Sequence, residues 1–319
     1  MYTNEQLLNY SRPLSDSEKK QCENSLNVVK NILSNYGFTV TKEKYESNDD
    51  DLNYGFHVSN GEMTAEIFVQ GSYGNGTCVR QDSDVDIAMI CESTFRGKYP
   101  TGRTAKDYGF VNSSFSILDF KKSLVDFINY NYTKYTVYNH NKCIDFKGND
   151  SSRKDIDIVP SLRYRDYSKD RYCDEENYVK GTLIKCNDGN EIINYPEQSH
   201  KNSIEKNNYT GYMYKKIVRT LKKIKHDMEE DNCQSAKSVS SYGLECLIFN
   251  VPNDCFKKDD DSNNYRYIVF KVIYYLYKNR HNFIYFVETN KLLNIFANPN
   301  NKVEDYKQFI IDLKQYIEE

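Results

Sequence analysis

The sequence lacks the features that would suit a membrane, secreted or zinc-binding protein. No apolar run approaches the length of a membrane span, and the N-terminus has no basic-then-apolar signal pattern. The nine cysteines include no Cys-x-x-Cys pair, and no histidine cluster accompanies Cys173 and Cys186. We therefore expect reduced thiols, a cytoplasmic location, no membrane partner and no zinc site.

An excess of positive charge is also missing. The chain of 319 residues has 43 Lys and Arg against 46 Asp and Glu, which gives a formal net charge of −3. Proteins that coat nucleic acids are usually basic overall, so we expect no stable nucleic-acid partner. Tryptophan is absent although 29 residues are tyrosine, a bias that we attribute to an AT-rich genome. The length suffices for one large domain or two modest ones.

The most informative stretch that is present reads as strand, glycine turn and second strand around residue 70. Apart from Glu66, residues 65–69 are apolar and β-prone, and the glycines that follow end this pattern. Gly71 and Ser72 would provide a turn whose backbone N–H groups and hydroxyl can hold a phosphate. Asp84 and Asp86 are two residues apart in an alternating run, so a strand would place both carboxylates on one face. Their repulsion favours a cation between them, and oxygen ligands suit Mg²⁺.

The combination of Gly-Ser with Asp-x-Asp is more specific than either part. A surface hairpin with two solvated aspartates would explain Asp-x-Asp alone. Together the two parts resemble the nucleotidyltransferase signature of the DNA polymerase β superfamily. More closely, the Gln-Gly-Ser-Tyr of residues 70–73 and the Asp-Ser-Asp-Val-Asp-Ile of residues 82–87 resemble the bacterial cGAS/DncV-like nucleotidyltransferases (CD-NTases) of CBASS anti-phage signalling.

In this family a third carboxylate lies on a later strand, in a hydrophobic-Asp-hydrophobic-Val-Pro pattern. Residues 156–160, Ile-Asp-Ile-Val-Pro, fit that pattern with Asp157 as the carboxylate. Asp155 is a competitor on the same strand face, but the Val-Pro register favours Asp157. The resemblance implies two Mg²⁺ ions, replaceable by Mn²⁺, held by Asp84, Asp86 and Asp157. It also implies that the Gly-Ser turn positions the phosphates of the donor NTP.

A basic face follows on a predicted helix in the C-terminal part. Lys215, Arg219, Lys222 and His226 step by four, three and four residues, which places them on one side of a helix. From periodicity alone, a solvated basic face is an equally good interpretation. Residues 217–222 resemble the helix of oligoadenylate synthetases and cGAS whose Arg and Lys reach the donor triphosphate, which assigns that role to Arg219 and Lys222. A register error of one turn would replace Lys222 by Lys215 or Arg219.

A further predicted helix, over residues 239–250, begins with Ser240, Ser241 and Tyr242. From the sequence alone, Ser241 is a helix cap. In cGAS-like enzymes the matching Ser-Ser-Tyr contributes a serine that binds the triphosphate. The resemblance therefore adds Ser241 to the residues expected to bind the nucleotide.

Local patterns predict elements outside these motifs as well. Ser15 and Glu18 form a capping box at the start of an amphipathic helix that ends near Gly37. A hairpin is predicted around Asp188 and Gly189. Three stretches otherwise read as loops or irregular chain, namely 43–63, 92–115 and 161–208.

These patterns predict an α+β (mixed α/β) fold with two domains. By the resemblance, a polymerase-β-like nucleotidyltransferase core with an N-terminal bracing helix would occupy residues 1–208. A helical lobe like that of oligoadenylate synthetases and poly(A) polymerases would occupy residues 209–319. The resemblance implies an enzyme that makes a cyclic di- or trinucleotide second messenger from NTPs with release of pyrophosphate. It also implies a separate effector protein that the product activates.

Three other functions are compatible with the same motifs. A linear oligonucleotide synthetase would differ in the phosphatase sensitivity of its product. A toxin-type enzyme would transfer one NMP to a protein or a tRNA end, and the net charge of −3 makes tRNA the less attractive acceptor. A nucleotide-binding module without catalysis would not need Asp84, Asp86 and Asp157, which are all present.

Overall fold

The computed structural model divides the chain into two compact units, each built from separate stretches. The sheet unit comprises Ser15–Gly74 and Ser83–Glu197, and the helical unit comprises Met1–Leu14, Asn75–Asp82 and Gln198–Glu319. The residues that the structure describes are 2–48, 51–79, 84–147, 151–257 and 264–318. The sequence predicts a single break after residue 208, whereas the helical unit also includes two earlier stretches. Local sequence patterns do not show that these two stretches belong to the helical unit, because only contacts with residues distant in sequence place them there.

Nine strands form a single sheet within the described residues: β1 (Thr39–Asn48), β2 (Asp51–Ser59), β3 (Thr64–Val69), β4 (Val85–Lys98), β5 (Thr136–Asn139), β6 (Ile144–Lys147), β7 (Ile156–Asp166), β8 (Val179–Lys185) and β9 (Glu191–Asn194). The order is β1-β2-β3-β4-β7-β6-β5, with β8 paired to β7 and β9. All neighbours are antiparallel except β4 and β7. A parallel pair needs a long crossover connection, and a helix and two strands lie between β4 and β7.

Ten α-helices accompany the sheet in the described part of the chain: α1 (Asn4–Tyr10), α2 (Asp16–Asn35), α3 (Gly71–Gly74), α4 (Ile117–Asn131), α5 (Pro196–Tyr209), α6 (Met213–Glu230), α7 (Gln234–Lys237), α8 (Ser241–Phe249), α9 (Tyr265–Asn279) and α10 (Val303–Glu318). Sheet and helices together confirm the predicted α+β class. Across the described residues, no helix has the length and apolarity that crossing a bilayer requires. The nine cysteines are all free thiols, as the sequence predicts.

Helix α2 begins where the sequence predicts it, at the capping box. Ser15 Oγ accepts the Glu18 amide, and the Glu18 carboxylate accepts the Ser15 backbone N–H. The chain leaves the helix at Gly37, whose φ of +109° favours glycine. Ser25 Oγ donates to the Lys154 carbonyl (2.8 Å) and accepts from the Lys154 N–H (3.1 Å). The helix therefore braces the residues directly before β7.

Strand β4 lies at the centre of the sheet, and its first half is buried on both faces. The buried residues run from Ile87 to Cys91 without interruption, which is typical of a strand covered on both sides. Strand β3 instead alternates, and it buries Ala65, Ile67 and Val69. Asp86, near the start of β4, is thus a polar exception in an otherwise apolar strand.

The structure contradicts much of the three loop predictions, although residues 99–115 contain only one short 3-10 helix, Ala105–Tyr108. Most of residues 43–63 belong to the β1–β2 hairpin, β4 continues to Lys98 into the predicted loop at 92–115, and β8, β9 and α5 occupy much of 161–208. The extension of β4 is ordered by pairing, because Phe95–Lys98 align with β7 after a register shift. Pairing of this kind depends on a partner strand that is distant in sequence. The polar residues of the segment itself therefore do not predict a strand. The predicted hairpin is confirmed as the β8–β9 pair.

The helical unit packs its apolar stripes into one core. Helix α6 buries its predicted stripe, including Ile217, Leu221 and Ile224. Helix α10 contributes Tyr306 and Leu313 to the same cluster. The periodicity of these helices therefore predicted their buried faces correctly.

Candidate active site

Three carboxylates lie in one row across three neighbouring strands. In the parallel β4–β7 pair Asp86 is opposite Asp157, and in the antiparallel β6–β7 pair Asp145 is opposite Asp157. Residues directly opposite one another point to the same face of a sheet. Asp84 lies two residues before Asp86, just before β4 begins. The fold therefore places Asp86 and Asp157 side by side, with Asp84 two residues before Asp86, and it adds a fourth carboxylate, Asp145.

Asp84, Asp145 and Asp157 form a compact group, in which one oxygen of each lies within 4.8 Å of the others. Asp155, the sequence competitor of Asp157, is outside this group, and its Oδ1 lies 3.9 Å from Arg153 Nη1. The sequence does not identify Asp145, because no motif marks it. In the sequence, the only sign of it is a short β-like run before the strand of Asp157. The register of β6 against β7 then places Asp145 opposite Asp157.

Burial and mutual repulsion raise the pKa of two of these carboxylates. The pKa of Asp84 is raised mainly by burial and further by the charge of Asp157. The pKa of Asp157 is also raised mainly by burial, and Asp145 adds to it although the Cys143 thiol donates to Oδ1 (3.4 Å). A divalent cation would oppose both effects, because it favours the ionised forms. Oxygen donors in this arrangement fit Mg²⁺ or Mn²⁺.

The turn after β3 places Gly71 against one of the carboxylates. The Gln70 N–H donates to the Asp86 carbonyl (2.9 Å), which fixes the turn to β4. Gly71 follows with a φ of +66°, a left-handed conformation that favours glycine. A Cβ on Gly71 would overlap Asp86 Oδ2. The sequence therefore needs glycine here for both its backbone conformation and the space that it leaves to Asp86.

Gly71→Ala is expected to lower the rate of nucleotidyl transfer about a hundredfold, because the methyl group would displace the Asp86 carboxylate. The left-handed conformation should also cost about 1–2 kcal/mol of unfolding free energy. Gly61→Ala is the matched control, since Gly61 has a φ of +88° but no atom within 4 Å of an added Cβ. Initial rates and urea unfolding should show similar stability losses and an activity loss only in Gly71→Ala. Equal activity of the two variants would contradict this placement of Asp86.

Ser72 is half-buried in the first turn of the short helix α3. Its neighbour Tyr73 is fully buried and anchors the turn in the core. The first N–H groups of a helix have no acceptor within the helix. A turn of this kind, with a hydroxyl beside it, can hold phosphate oxygens.

Three of the four residues of the predicted basic face of α6 are buried, so a solvated basic face is wrong for them, whereas the His226 side chain is 38% exposed. Lys215, Arg219 and Lys222 are between 1% and 7% exposed. Arg219 donates from Nε to the Ser11 carbonyl (2.7 Å) and from Nη1 to the Gly76 carbonyl (2.5 Å). Ser11 lies in the Met1–Leu14 stretch of the helical unit, and Gly76 lies in its Asn75–Asp82 stretch. Arg219 therefore joins both stretches to α6. Its role in binding the triphosphate stays a prediction.

Lys222 forms a buried ion pair within the helical unit. Its Nζ lies 2.6 Å from Glu245 Oε2 and 3.3 Å from Thr77 Oγ1. The Thr77 hydroxyl donates to the same Glu245 oxygen (2.9 Å). A buried pair of this kind is costly to break, because the remaining charge has no solvent to compensate it. The triphosphate role of Lys222 likewise stays a prediction, and any test must separate it from this structural contact.

Ser240, not Ser241, caps helix α8. Ser240 Oγ accepts the Gly243 N–H (3.0 Å), and Ser241 is the first helical residue. The cap prediction for Ser241 is therefore wrong by one residue. Ser241 is exposed, and its assignment to triphosphate binding stays a prediction.

Comparison with known proteins places this arrangement in a family. A model of the cGAS/DncV-like nucleotidyltransferase C-terminal helical domain matches residues 201–318. The cyclic GMP-AMP synthase CdnE03 of Staphylococcus schleiferi is 39% identical over 100% of this chain and 97% of its own length. The cyclic dipyrimidine nucleotide synthase CdnE of Cecembia lonarensis is 33% identical over 87% of this chain and 84% of its own.

A solved structure agrees with these relatives. The CdnE cyclic dinucleotide synthase of Elizabethkingia meningoseptica, solved with GTP and Apcpp, has a TM-score of 0.75 and 28% identity over 99% of both chains. The likeness extends over both the sheet unit and the helical unit, so it does not rest on the short motifs alone. The chain therefore belongs to the cGAS/DncV-like nucleotidyltransferases, and it is a nucleotidyltransferase that synthesises a cyclic oligonucleotide.

Proposed function

We propose that the enzyme joins two NTPs into a cyclic dinucleotide and releases pyrophosphate at each bond that it forms. The observation that carries the proposal is the row of Asp86, Asp157 and Asp145 beside Asp84 and the Gly71 turn. Carboxylates next to a phosphate-binding turn are what a metal-assisted phosphoryl-type transfer needs. The names of two relatives, a cyclic GMP-AMP synthase and a cyclic dipyrimidine synthase, support a ring of two nucleotides. The names of these relatives give different bases, so they do not assign the bases of this enzyme's product. An assay with labelled NTPs determines them directly.

The metal centre of the proposed reaction is assigned to Asp84, Asp86 and Asp157, which would hold two Mg²⁺ ions or Mn²⁺ in their place. When bound, the ions would neutralise the donor phosphates and lower the pKa of the acceptor ribose hydroxyl. Asp157 would take up the proton of that hydroxyl. The Gly71 and Ser72 turn would orient the donor phosphates, so that much of the catalysis comes from positioning.

Lys222→Met is expected to lower the free energy of unfolding by about 2–3 kcal/mol, because it leaves Glu245 buried without its cation. Adding Glu245→Gln removes that orphaned charge, so most of the stability should return in the double variant. The KM for NTP should nevertheless stay raised about tenfold, since a charged hydrogen bond to the triphosphate is still missing. Urea unfolding and initial rates measure the two effects separately. If both the free energy of unfolding and the KM for NTP return to wild-type values in the double variant, Lys222 has a structural role only.

We further propose that the product is a second messenger of anti-phage signalling, which a separate effector protein binds. Membership in the cGAS/DncV-like family supports this role. A direct check is whether the purified product binds or activates candidate effectors encoded beside the enzyme. A product that no such effector binds would count against the signalling role but not against the synthesis.

The synthesis itself can be tested with the purified protein, four α-labelled NTPs and Mg²⁺ or Mn²⁺. After phosphatase treatment, we expect a labelled product that has kept every one of its labelled phosphates and whose formation needs the metal. Omitting each NTP in turn then names the bases. A linear dinucleotide would lose the label of its 5′-terminal phosphate and keep only that of its internal phosphodiester bond, and label attached to protein or RNA would indicate an NMP transferase. Either of these results would overturn the proposed cyclic product.

A further inference from the structure

Asp145 is a carboxylate next to the metal centre to which neither the sequence motif nor the proposed chemistry gives a role. It lies on β6, directly opposite Asp157 on β7. One of its oxygens belongs to the group with Asp84 and Asp157 whose members lie within 4.8 Å of one another. In the strand order, Asp157 lies between Asp86 on β4 and Asp145 on β6. Asp145 thus extends the row on the side away from the Gly71 turn.

The two oxygens of Asp145 have different surroundings. Oδ2 lies 3.3 Å from His140 Nε2 and 3.4 Å from Lys147 Nζ. Oδ1 is buried and has no hydrogen-bond partner among the described residues, and only 4% of the residue is exposed. A buried carboxylate oxygen without a partner is unfavourable. The arrangement therefore calls for a ligand that Oδ1 can bind.

A structural ion pair alone does not explain the site. The side chains of His140 and Lys147 are 56% and 47% exposed, so water screens their attraction for Asp145. Both side chains reach Oδ2, so neither of them compensates Oδ1, and two more carboxylates lie close by. A divalent cation with oxygen ligands would compensate all three carboxylates at once.

We propose that Asp145 is a fourth carboxylate of the metal centre and that its Oδ1 binds, directly or through a water molecule, the ion that Asp84 and Asp157 hold. The inference rests on the proposed function, since it places Asp145 at the metal centre of that reaction. The Asp86 carboxylate, by contrast, lies against Gly71 at the other end of the row. Lys147 is the counter-cation of Asp145 when no metal is bound, and it competes with the ion.

Mn²⁺ binding to the nucleotide-free, full-length protein tests this proposal without measuring activity. In calorimetric titrations, Asp145→Asn should weaken Mn²⁺ binding about tenfold, the loss typical of groups that support a bound metal. Asp155→Asn is the matched control, because Asp155 is a nearby carboxylate outside the group, and its affinity should change less than about twofold. Equal affinities of wild type, Asp145→Asn and Asp155→Asn would overturn the proposal.

A second variant tests the proposal even if Asp145→Asn does not fold. Lys147→Met removes the competing cation and should tighten Mn²⁺ binding about threefold. Where the Asp145→Asn, Lys147→Met double variant folds, this gain should shrink by at least about half, because the two side chains act through each other. Unchanged affinity in Lys147→Met would overturn the proposal.

These outcomes separate the proposal from the proposed function. A wild-type enzyme that makes a cyclic product, together with an Asp145→Asn variant that binds Mn²⁺ normally, would overturn the role of Asp145 alone. A protein that makes no cyclic product but binds Mn²⁺ through Asp145 would support the metal role of Asp145 and overturn the proposed function.

Discussion

Replacing Asp84 and Asp86 together with asparagine is expected to reduce formation of the cyclic product by at least about a thousandfold. Asparagine keeps the size of each side chain but removes the two negative charges that the proposed metal ions would need. Asp157 alone would remain of the three carboxylates assigned to the ions. Initial rates of product formation at saturating Mg²⁺ or Mn²⁺ measure the loss.

The double variant should keep its fold. Burial raises the pKa of Asp84, and repulsion by Asp157 raises it further, so the charged form of Asp84 is disfavoured in the folded protein. Removing that charge should leave the midpoint of thermal unfolding unchanged or slightly higher. Asp155→Asn, a change of the same kind next to the row, should retain most of the activity. Substantial activity in the Asp84→Asn, Asp86→Asn variant would refute the site assignment.

Arg163→Met is expected to lower the free energy of unfolding by about 3–5 kcal/mol. Arg163 lies on β7 and is fully buried in the sheet unit. Its guanidinium donates to Glu66 (2.9 Å), to Glu197 (2.9 Å) and, from Nε, to Glu92 (3.0 Å). Burial would lower the pKa of Arg163, but the three carboxylates raise it above its usual value, so the charge is retained. The substitution would leave three neighbouring carboxylates without their shared cation.

A matched control for Arg163→Met is Lys98→Met on the neighbouring strand. Lys98 pairs with Asp166 (3.3 Å), but its side chain is 57% exposed, so the pair should contribute less than about 1 kcal/mol. Urea unfolding of both variants gives the comparison. Adding Glu92→Gln to Arg163→Met should recover part of the loss, because one uncompensated charge is removed. Equal losses in Arg163→Met and Lys98→Met would show that the buried cluster does not stabilise the sheet unit.

The sequence predicted the parts of the fold that depend on local pattern. The capping box of α2 and the apolar stripes of α6 and α10 are local, and each is confirmed. The β1–β2 hairpin and the far end of β4 were read as loops, because their polar sequences are ordered by pairing with distant strands. Periodicity within a segment carries no information about such partners.

The candidate site also contains some residues that a local motif predicts and others that only long-range contacts bring to the site. Gly71, Asp84 and Asp86 lie close together in sequence, so a short motif identified them. Asp145 joins the row only through the register of β6 against β7. The α6 cations were visible as a basic face, but their buried partners were not, because Glu245 and Gly76 come from other parts of the chain. Charge spacing alone could not distinguish a solvated face from a buried one.

The ratio of pyrophosphate released to NTP consumed tests the central claim most directly. Closing a dinucleotide ring forms two phosphodiester bonds from two NTPs, so one pyrophosphate leaves for every NTP consumed. A linear dinucleotide keeps one triphosphate and releases half as much. We predict a ratio of one together with a free, phosphatase-resistant product, and the loss of both in the Asp84→Asn, Asp86→Asn variant. A ratio near one half, or pyrophosphate release without a free oligonucleotide, would contradict the account.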